Sequence, residues 1–349
     1  MALLKHISIS PEVLLLISQI DEKKGAWNAA QVLSSADLER LKKISFIESV
    51  AASCRIEGST LSSHDVSLLL ENNDLHFDDA IGKAQVLGLA KVMDLIYTSW
   101  EDITITESHI QQLHKELLSF SEKDAWHRGK YKTNANSVVA FDSEGKQVGV
   151  VFQTASAFDT PLLMAELVQW FNYEKKKRAL HPLIITAIFT VVFLEIHPFQ
   201  DGNGRLSRVL TSLMLLQFGY AFVPYASLEN IIEQSKDAYY LALRNTQITI
   251  RSEAQNWEPW LVFFLHALVK QTVRLTKKVE REKLVFSAIP LLSLNILEFV
   301  KEHGRVSIGD MVQLTGVSRN TLKIHFRSLV EKGFIEQRGG GRSTWYVLR

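Results

Sequence analysis

Residues 197–208 gather, within one short segment, side chains that could act on a phosphate ester. His197 supplies a base whose pKa normally lies near neutral pH. Asp201 supplies a carboxylate, and Mg²⁺ typically binds one or two carboxylates together with substrate phosphates. Arg205 and Arg208 are three residues apart, so on a helix they share a face, and their forked donors fit phosphate oxygens. The spacing therefore indicates a base, a metal ligand and a phosphate cradle.

The tripeptide Gly202-Asn203-Gly204 is expected to form a tight loop before a helix. Pro198 disfavours helical geometry at His197, so the apolar helix before it should end there. A helix N-terminus exposes free N–H groups and the positive end of a dipole, which suits phosphate, and glycines allow close approach. Taken singly, such features are ordinary helix ends, turns and solvated faces, so the prediction depends on their conjunction.

A second candidate feature is the sequence Ser53-Cys-Arg-Ile-Glu57-Gly58. It lies at the end of a predicted helix over 36–57, which Gly58 can terminate in the left-handed conformation. In that last turn the charge of Glu57 opposes the helix dipole by about 0.3–1 kcal/mol, so a compensating partner is expected. Ser53 and Glu57 are four residues apart and share a face. The residues alone leave open a simple surface glutamate.

Apolar residues recur at helical spacing through most of the chain, so the predicted fold is mainly α. An exception is the segment 137–152, where two runs rich in β-branched residues flank a turn containing Gly145 and predict a β-hairpin. An isolated hairpin is marginally stable, so it should pack on the helices or pair with an added strand. Further helices are predicted over 80–100, 107–120, 166–174, 183–195, 204–218, 228–244 and 257–283.

The last part of the chain, residues 285–349, reads as a winged helix-turn-helix. Three helices are predicted over 291–303, 307–314 and 319–332, followed by a hairpin with a glycine tip between Arg338 and Arg342. Residues 291–349 contain nine Lys or Arg and five Asp or Glu. The third helix, which Ser318 can cap, presents basic side chains on one face, as a DNA-recognition helix does. Contact with DNA and contact with protein both stay open. The basic side chains are Arg319, Lys323 and Arg327.

The composition is that of a globular protein with ample core. Among its 349 residues, 39 Lys or Arg nearly balance 38 Asp or Glu, for a net charge of +1, so nothing global indicates nucleic acid or an anionic membrane. The single cysteine, Cys54, excludes an internal disulfide framework. No signal peptide is evident, and the apolar run 183–194 is shorter than the ~20 residues of a spanning helix. We expect a cytoplasmic protein without a membrane partner.

The segment His197-Pro-Phe-Gln-Asp-Gly-Asn-Gly-Arg-Leu-Ser-Arg208 resembles the signature of the Fic family, His-x-Phe-x-(Asp/Glu)-Gly-Asn-Gly-Arg-x-x-Arg, at every specified position. Upstream, Trp126–Tyr131 and the hairpin resemble the lead-in and the target-binding flap of such proteins. The resemblance covers about residues 1–260. It implies an N-terminal helical region with an inhibitory helix, a Fic core with a β-hairpin flap, a connecting helix and the winged helix-turn-helix. Their expected ranges are 1–105, 106–260, 261–284 and 285–349.

The resemblance implies transfer of AMP from ATP, with Mg²⁺, to a Ser, Thr or Tyr hydroxyl of a target protein held along the hairpin. His197 would deprotonate that hydroxyl, Asp201 would hold Mg²⁺, and Phe199 would pack in the core. A tyrosine pair would lie near the adenine, with core packing as the alternative explanation. The residues expected at ATP are Gly202, Asn203, Gly204, Arg205, Leu206, Ser207, Arg208, Tyr239 and Tyr240.

Ser53, Glu57 and Gly58 are similar to the inhibitory motif of the family, (Ser/Thr)-x-x-x-Glu-(Gly/Asn). The resemblance implies that Glu57 pairs with Arg208 and denies it to the γ-phosphate. Whether the same glutamate also helps to remove AMP from the target stays open. The use of another nucleotide, such as UTP, and the formation of a homodimer also stay open.

A nucleotide-sensing, DNA-binding transcriptional regulator is the alternative function. A sensor needs the phosphate cradle but no base, so the presence of both His197 and Asp201 favours an enzyme.

Overall fold

A computed structural model describes residues 7–29, 35–71, 79–141, 147–287, 290–341 and 344–349. The chain divides into two compact units between Lys277 and Lys278. Helices dominate, and the predicted mainly α class is confirmed. The first unit contains α1 Pro11–Ala29, α2 Ser35–Ile56, α3 Ser63–Glu71, α4 Ala80–Ser99, α5 Glu107–Leu117, α6 Thr160–Lys177, α7 Pro182–Ile196, α8 Asn203–Gln217, α9 Leu228–Gln234, α10 Lys236–Ile250 and most of α11 Glu258–Ser287.

The predicted single helix over 228–244 is wrong in one respect, because the structure divides it into α9 and α10 at Ser235. The hydroxyl of Ser235 donates a hydrogen bond of 2.8 Å to the carbonyl of Ile231. Such a local bond offers the backbone an alternative to a continuous helix. After the break, α10 begins at Lys236, and Tyr239 lies in its first turn.

Helices α7 and α8 form the centre of the first unit. Every residue of α7 from Leu183 to Ile196 is buried, which explains its apolar composition on all sides. Inside this core the hydroxyls of Thr190 and Thr211 are 2.9 Å apart and join the two helices. The loop that connects α7 to α8 is therefore anchored at both ends in tightly packed structure.

The C-terminal end of α2 is fixed beside α8 by contacts with α9. Arg55 donates two hydrogen bonds to the carboxylate of Glu233, at 2.5 and 2.8 Å, and a third to the carbonyl of Leu61 at 3.2 Å. Two buried small residues, Ala51 and Ala52, allow close helix approach. This packing carries the end of α2 to the start of α8.

The predicted hairpin is present as strands β1 Ser137–Phe141 and β2 Gln147–Gln153, which pair antiparallel. The register shifts between Val138 and Val139 and again between Ala140 and Phe141. Backbone of β2 lies against α10. The predicted turn around Gly145 lies outside the described residues.

The second unit contains α12 Leu291–His303, α13 Ile308–Thr315, α14 Arg319–Glu331, β3 Ile335–Arg338 and β4 Trp345–Leu348. This is the predicted order of three helices and a hairpin; Arg342 at its tip lies outside the described residues. Val306 pairs with Tyr346 and adds a bridge beside the β3–β4 pair. Ser318 caps α14 by accepting a hydrogen bond from the N–H of Thr321. The buried core consists of Ile296, Val300, Val306, Met311, Leu322, Phe326, Leu329, Ile335 and Tyr346.

Candidate active site

His197 ends α7 in the left-handed conformation, with a φ of 52°. This region is uncommon for residues other than glycine, and it turns the chain sharply towards the loop. Burial, aided by the nearby Lys132 ammonium, lowers the pKa of His197 to about 4. Nδ1 lies 3.4 Å from the carbonyl of Leu194, so a proton on Nδ1 leaves Nε2 as the basic nitrogen. At neutral pH the imidazole is therefore neutral and can accept a proton.

Asn203 holds the loop together. Its side-chain oxygen accepts a hydrogen bond from the N–H of Phe199 at 2.9 Å, and its amide group donates to the carbonyl of Phe199 at 2.7 Å. Gly202 precedes α8 with a φ of 80°, a conformation that glycine adopts at low cost. The side chain of Asn203 is thus used inside the loop, which leaves its backbone N–H to face a ligand at the helix N-terminus.

Asp201 is the candidate metal ligand. Its Oδ1 accepts a hydrogen bond from the N–H of Gly202 at 2.6 Å, and its Oδ2 lies 3.5 Å from Nη2 of Arg205. Although burial opposes ionisation, the Arg205 charge and the Gly202 hydrogen bond hold the pKa of Asp201 below its ordinary value. The side chain is 45% exposed, so an ionised carboxylate remains accessible.

A single accessible carboxylate fits Mg²⁺, which commonly retains several waters and takes its other ligands from substrate phosphates. Over the described parts of the chain, no group of three or more His, Cys, Asp or Glu side chains could hold a metal ion by itself. The donor set thus fits an ion that arrives with a nucleotide.

Arg205 is only 2% exposed, and its Nε and Nη1 have no hydrogen-bond partner among the described residues. Leaving buried donors of a charged group unpaired is costly, so the site is incomplete without an acceptor. An anionic ligand with several oxygens would satisfy both nitrogens. This is the strongest indication in the structure that residues 201–208 bind an anion.

Arg208 is also buried, and it is held by α2. Its Nε donates to the hydroxyl of Ser53 at 2.8 Å, and its Nη2 donates to the Ser53 carbonyl at 2.8 Å and to Oε1 of Glu57 at 2.7 Å. A Cβ atom on Gly204 would overlap the Glu57 carboxylate. The carboxylate therefore lies directly against the first turn of α8, where an anion binds most favourably. Gly58 follows with a φ of 96° and ends α2 as expected.

The two tyrosines differ in exposure. Tyr239 is 3% exposed and packs edge-on against Tyr240 and Trp260, with ring centroids 5.2 and 5.7 Å apart. Burial raises the pKa of Tyr239 to about 12, against the opposing influence of Arg208. Tyr240 is half-buried. Tyr239 thus belongs to the aromatic core beside Arg208, and Tyr240 is the more accessible ring.

Leu206 and Ser207 do not offer their side chains to a ligand. Leu206 is fully buried, and the Ser207 hydroxyl donates to the carbonyl of Gly204 at 2.7 Å. The backbone N–H of Leu206 already donates to the carbonyl of Gly202 at 2.9 Å, so the free N–H groups of α8 lie before this residue.

His114 is a supporting residue that sequence reasoning missed. It is fully buried and stacks on Phe199 at 3.8 Å between ring centroids. Its Nδ1 accepts the N–H of Gly129 at 3.0 Å, so Nε2 carries the proton and donates to the carbonyl of Asp201 at 3.0 Å. Burial lowers its pKa to about 4, consistent with a neutral ring. A lone histidine within α5 gives no sequence signal for this role.

Both units of the chain match models of known families. Residues 104–215 match the model of the Fic/DOC family. Residues 293–349 match the model of the C-terminal domain of DIP2311-like transcriptional regulators.

Curated relatives include "Protein adenylyltransferase Fic" of Drosophila mojavensis and of Drosophila melanogaster. Each is 29% identical over 230 residues, which are 65% of this chain and 42% of the relative. The chain thus spans well under half of the length of these relatives. Among solved structures, a Fic family protein from Desulfovibrio desulfuricans has a TM-score of 0.63 at 23% identity, over 98% of this chain and 97% of that one. Fic-1 of C. elegans has a TM-score of 0.60 at 19% identity, over 78% and 72%. These likenesses establish the fold.

Proposed function

We propose that this chain transfers AMP from ATP to a hydroxyl side chain of a target protein. The observation that carries the proposal is the pair of buried arginines at the N-terminus of α8, with Nε and Nη1 of Arg205 and Nη1 of Arg208 unpaired among the described residues. The neutral base His197 lies at the other end of the same short loop. A phosphate cradle that only sensed a nucleotide would need no base.

In this mechanism, Nε2 of His197 takes the proton of the target hydroxyl as its oxygen attacks the α-phosphorus. The new oxygen–phosphorus bond forms as the bond from the α-phosphorus to the leaving pyrophosphate breaks. Arg205 and the N–H groups at the start of α8 hold the phosphates and offset their charge. Asp201 would hold Mg²⁺, which when bound neutralises phosphate charge.

Glu57 would restrain this activity. Its carboxylate lies against the same helix turn as the expected phosphates and accepts from Arg208. Two anions do not share such a position without mutual repulsion. While Glu57 holds this position, ATP would bind weakly or with its γ-phosphate displaced. Release of AMP from a labelled target by wild type, but not by Glu57→Gly, would show that Glu57 also serves removal of AMP.

The target segment would add as a strand to the β1–β2 hairpin. Strand addition gives affinity through backbone hydrogen bonds and places one side chain in every two towards the site. The hairpin follows directly on Asn136, which contacts the His197 loop, so an added strand would lie beside the base.

The test incubates wild type, Glu57→Gly and His197→Ala with Mg²⁺, α-labelled ATP and lysate. We expect label on protein to rise in Glu57→Gly and to vanish in His197→Ala, while His197→Ala still binds MgATP by calorimetry. Label from another α-labelled nucleotide, such as UTP, would revise the substrate. Intact MgATP binding with no label in any variant would contradict transfer and favour a sensor.

A DNA-binding regulator is the second candidate, because one face of α14 presents three exposed basic side chains: Arg319, Lys323 and Arg327. The match of residues 293–349 to a transcriptional-regulator domain points the same way. Binding of the full chain to a mixed duplex pool should then weaken steeply with salt. Absence of binding at low salt would favour protein contact instead.

No helix in the described part of the chain is long and apolar enough to cross a membrane. Three expectations stay predictions: a cytoplasmic location, a homodimer, and a functional division at 1–105, 106–260, 261–284 and 285–349. Light scattering of the purified chain over a concentration series would test the homodimer.

A further inference from the structure

Lys132 is a buried lysine that the proposed chemistry does not use; it is 3% exposed. Its ammonium donates to the carbonyl of Ile196 at 3.0 Å, to Oδ1 of Asn136 at 2.9 Å and to the hydroxyl of Thr154 at 2.9 Å. These three bonds use all of its donors. Its backbone N–H donates to the carbonyl of Pro198 at 2.8 Å. Lys132 thus reaches the backbone on both sides of His197.

The other two partners stand at the base of the hairpin. Asn136 directly precedes β1, and Thr154 directly follows β2. The Thr154 hydroxyl lies 2.7 Å from Oδ1 of Asn136 and 2.8 Å from its carbonyl oxygen, so the two residues close the hairpin at its open end. The Asn136 amide group in turn donates to the carbonyl of Phe199 at 2.7 Å. One cluster therefore joins the residue before β1 and the residue after β2 to the loop. We call Lys132, Asn136 and Thr154 the loop clasp.

The loop clasp holds a backbone that has an unfavourable conformation at His197. His197 has a left-handed φ of 52°, which persists in a non-glycine residue only where the surroundings determine it. Carbonyls of four consecutive residues, 196–199, accept hydrogen bonds from Lys132 or Asn136, the one at His197 being longest at 3.4 Å. The N–H of Ala155, next to Thr154, also lies 3.4 Å from the carbonyl of Glu195. The hairpin base thus fixes the conformation of the catalytic loop.

We propose that the loop clasp is a positioning device, which sets the distance between a strand bound on the hairpin and Nε2 of His197. Its role in turnover rests on the proposed transfer reaction, whereas its role in holding the loop does not. A misplacement of about 1 Å between reacting groups can lower a rate by roughly a hundredfold. The clasp should therefore govern the rate of transfer and leave nucleotide affinity unchanged, because Arg205 and the start of α8 lie outside it.

The test compares Thr154→Val with Thr154→Ser, each in the Glu57→Gly background. Valine keeps the shape of threonine but removes the acceptor for Lys132 and the donor to Asn136. We expect the initial rate of label transfer to lysate proteins at saturating MgATP to fall about tenfold or more. The Kd of MgATP by calorimetry should change by less than about twofold. Thr154→Ser, which retains the hydroxyl, should restore most of the rate.

Amide hydrogen exchange gives a readout independent of transfer. In Thr154→Val the N–H groups of Lys132 and Phe199, which bond within the loop region, should exchange faster. Thr186→Val is the control, since it makes the same substitution at a buried threonine whose hydroxyl donates to the carbonyl of Pro182 within α7. Exchange and transfer in Thr154→Val equal to those in Thr186→Val would overturn the proposal. If Glu57→Gly itself transfers no label, the proposed function fails, and exchange alone decides whether the clasp holds the loop.

Discussion

Two places in this molecule carry arginines that we propose contact an anion, and their surroundings are opposite. In the first unit, Arg205 and Arg208 are 2% and 5% exposed. In the second, Arg319 and Arg327 on α14 are exposed, and neither makes an ion pair within the described chain. The first arrangement is enclosed and specific in geometry, whereas the second is hydrated and open.

The difference teaches which energies act at each place. A buried guanidinium has already lost its water, so each donor needs a partner at a defined position and its loss is strongly felt. An exposed arginine keeps its water, and its attraction to phosphate is screened over about 8–10 Å by salt. The first unit should therefore discriminate between ligands, and α14 should only attract them.

The largest effect is expected at Arg205. Arg205→Gln removes a buried charge with two unpaired donors, so we expect transfer by the Glu57→Gly variant to fall by about a hundredfold or more. Initial rates of label transfer, with calorimetric MgATP binding beside them, measure the loss. Arg327→Gln in the same background is the matched control and should leave the rate unchanged. An equal loss in both variants would remove the distinction between the two places.

Glu57 sharpens the comparison, because it pairs with the buried Arg208 while its own side chain is 31% exposed, and an ion pair on the surface offers a counterpart. Glu57→Gln keeps the shape but removes the charge that Arg208 needs, so without nucleotide the free energy of unfolding should fall by about 1–3 kcal/mol. Added MgATP should restore stability more in this variant than in wild type, because phosphate replaces the lost anion. Thermal unfolding with and without MgATP measures both effects.

Glu336 provides the control, since it pairs with Arg338 on the surface of the second unit, where both side chains are about half exposed. Glu336→Gln should change the free energy of unfolding by less than about 0.5 kcal/mol. Equal losses in Glu57→Gln and Glu336→Gln would show that the burial of Arg208 adds nothing to its pair with Glu57.

The two places also differ in how far sequence predicts them. Local rules predict that α7 ends before Pro198 and that α2 ends at Gly58, because helix ends depend on neighbouring residues. The family resemblance predicts the pairing of Glu57 with Arg208, and the two side chains are in contact although 151 residues apart. The order of three helices and a hairpin in the second unit is predicted by helical periodicity and by the positions of glycines alone.

Residues that act through long-range contacts could not be found this way. His114 meets Asp201 across 87 residues, and Lys132 meets Ile196 across 64, while neither lies in a pattern with chemical meaning. Asn203 shows a second limit, because its residue type suits a phosphate ligand as well as the loop brace that it forms. Only the packing of α5 and the hairpin base against the loop separates these roles.

A smaller change is expected from pH at His197. Its folded pKa of about 4 lies below the ordinary value, so the ring stays neutral above that pH and gains a proton only as pH falls through it. Between pH 7 and 5, kcat/KM for transfer by Glu57→Gly should fall by less than about threefold, whereas an exposed histidine with a pKa of ~6.5 would lose about 25-fold. A pH–rate profile in constant ionic strength decides. An inflection near pH 6.5 would contradict the assignment of His197, with its lowered pKa, as the base.

The smallest effect is expected on α14. Arg327→Gln should change the free energy of unfolding by less than about 0.5 kcal/mol, because the exposed side chain makes no ion pair with the described chain. If α14 contacts a phosphate backbone, the same substitution should reduce the slope of log K against log salt by about one, and similarly for unrelated duplexes. Binding of the full chain to two unrelated duplexes over a salt series measures this slope. Loss of binding to one duplex alone would mean that Arg327 contacts bases, which would make the open face of α14 as selective as the enclosed loop of the first unit.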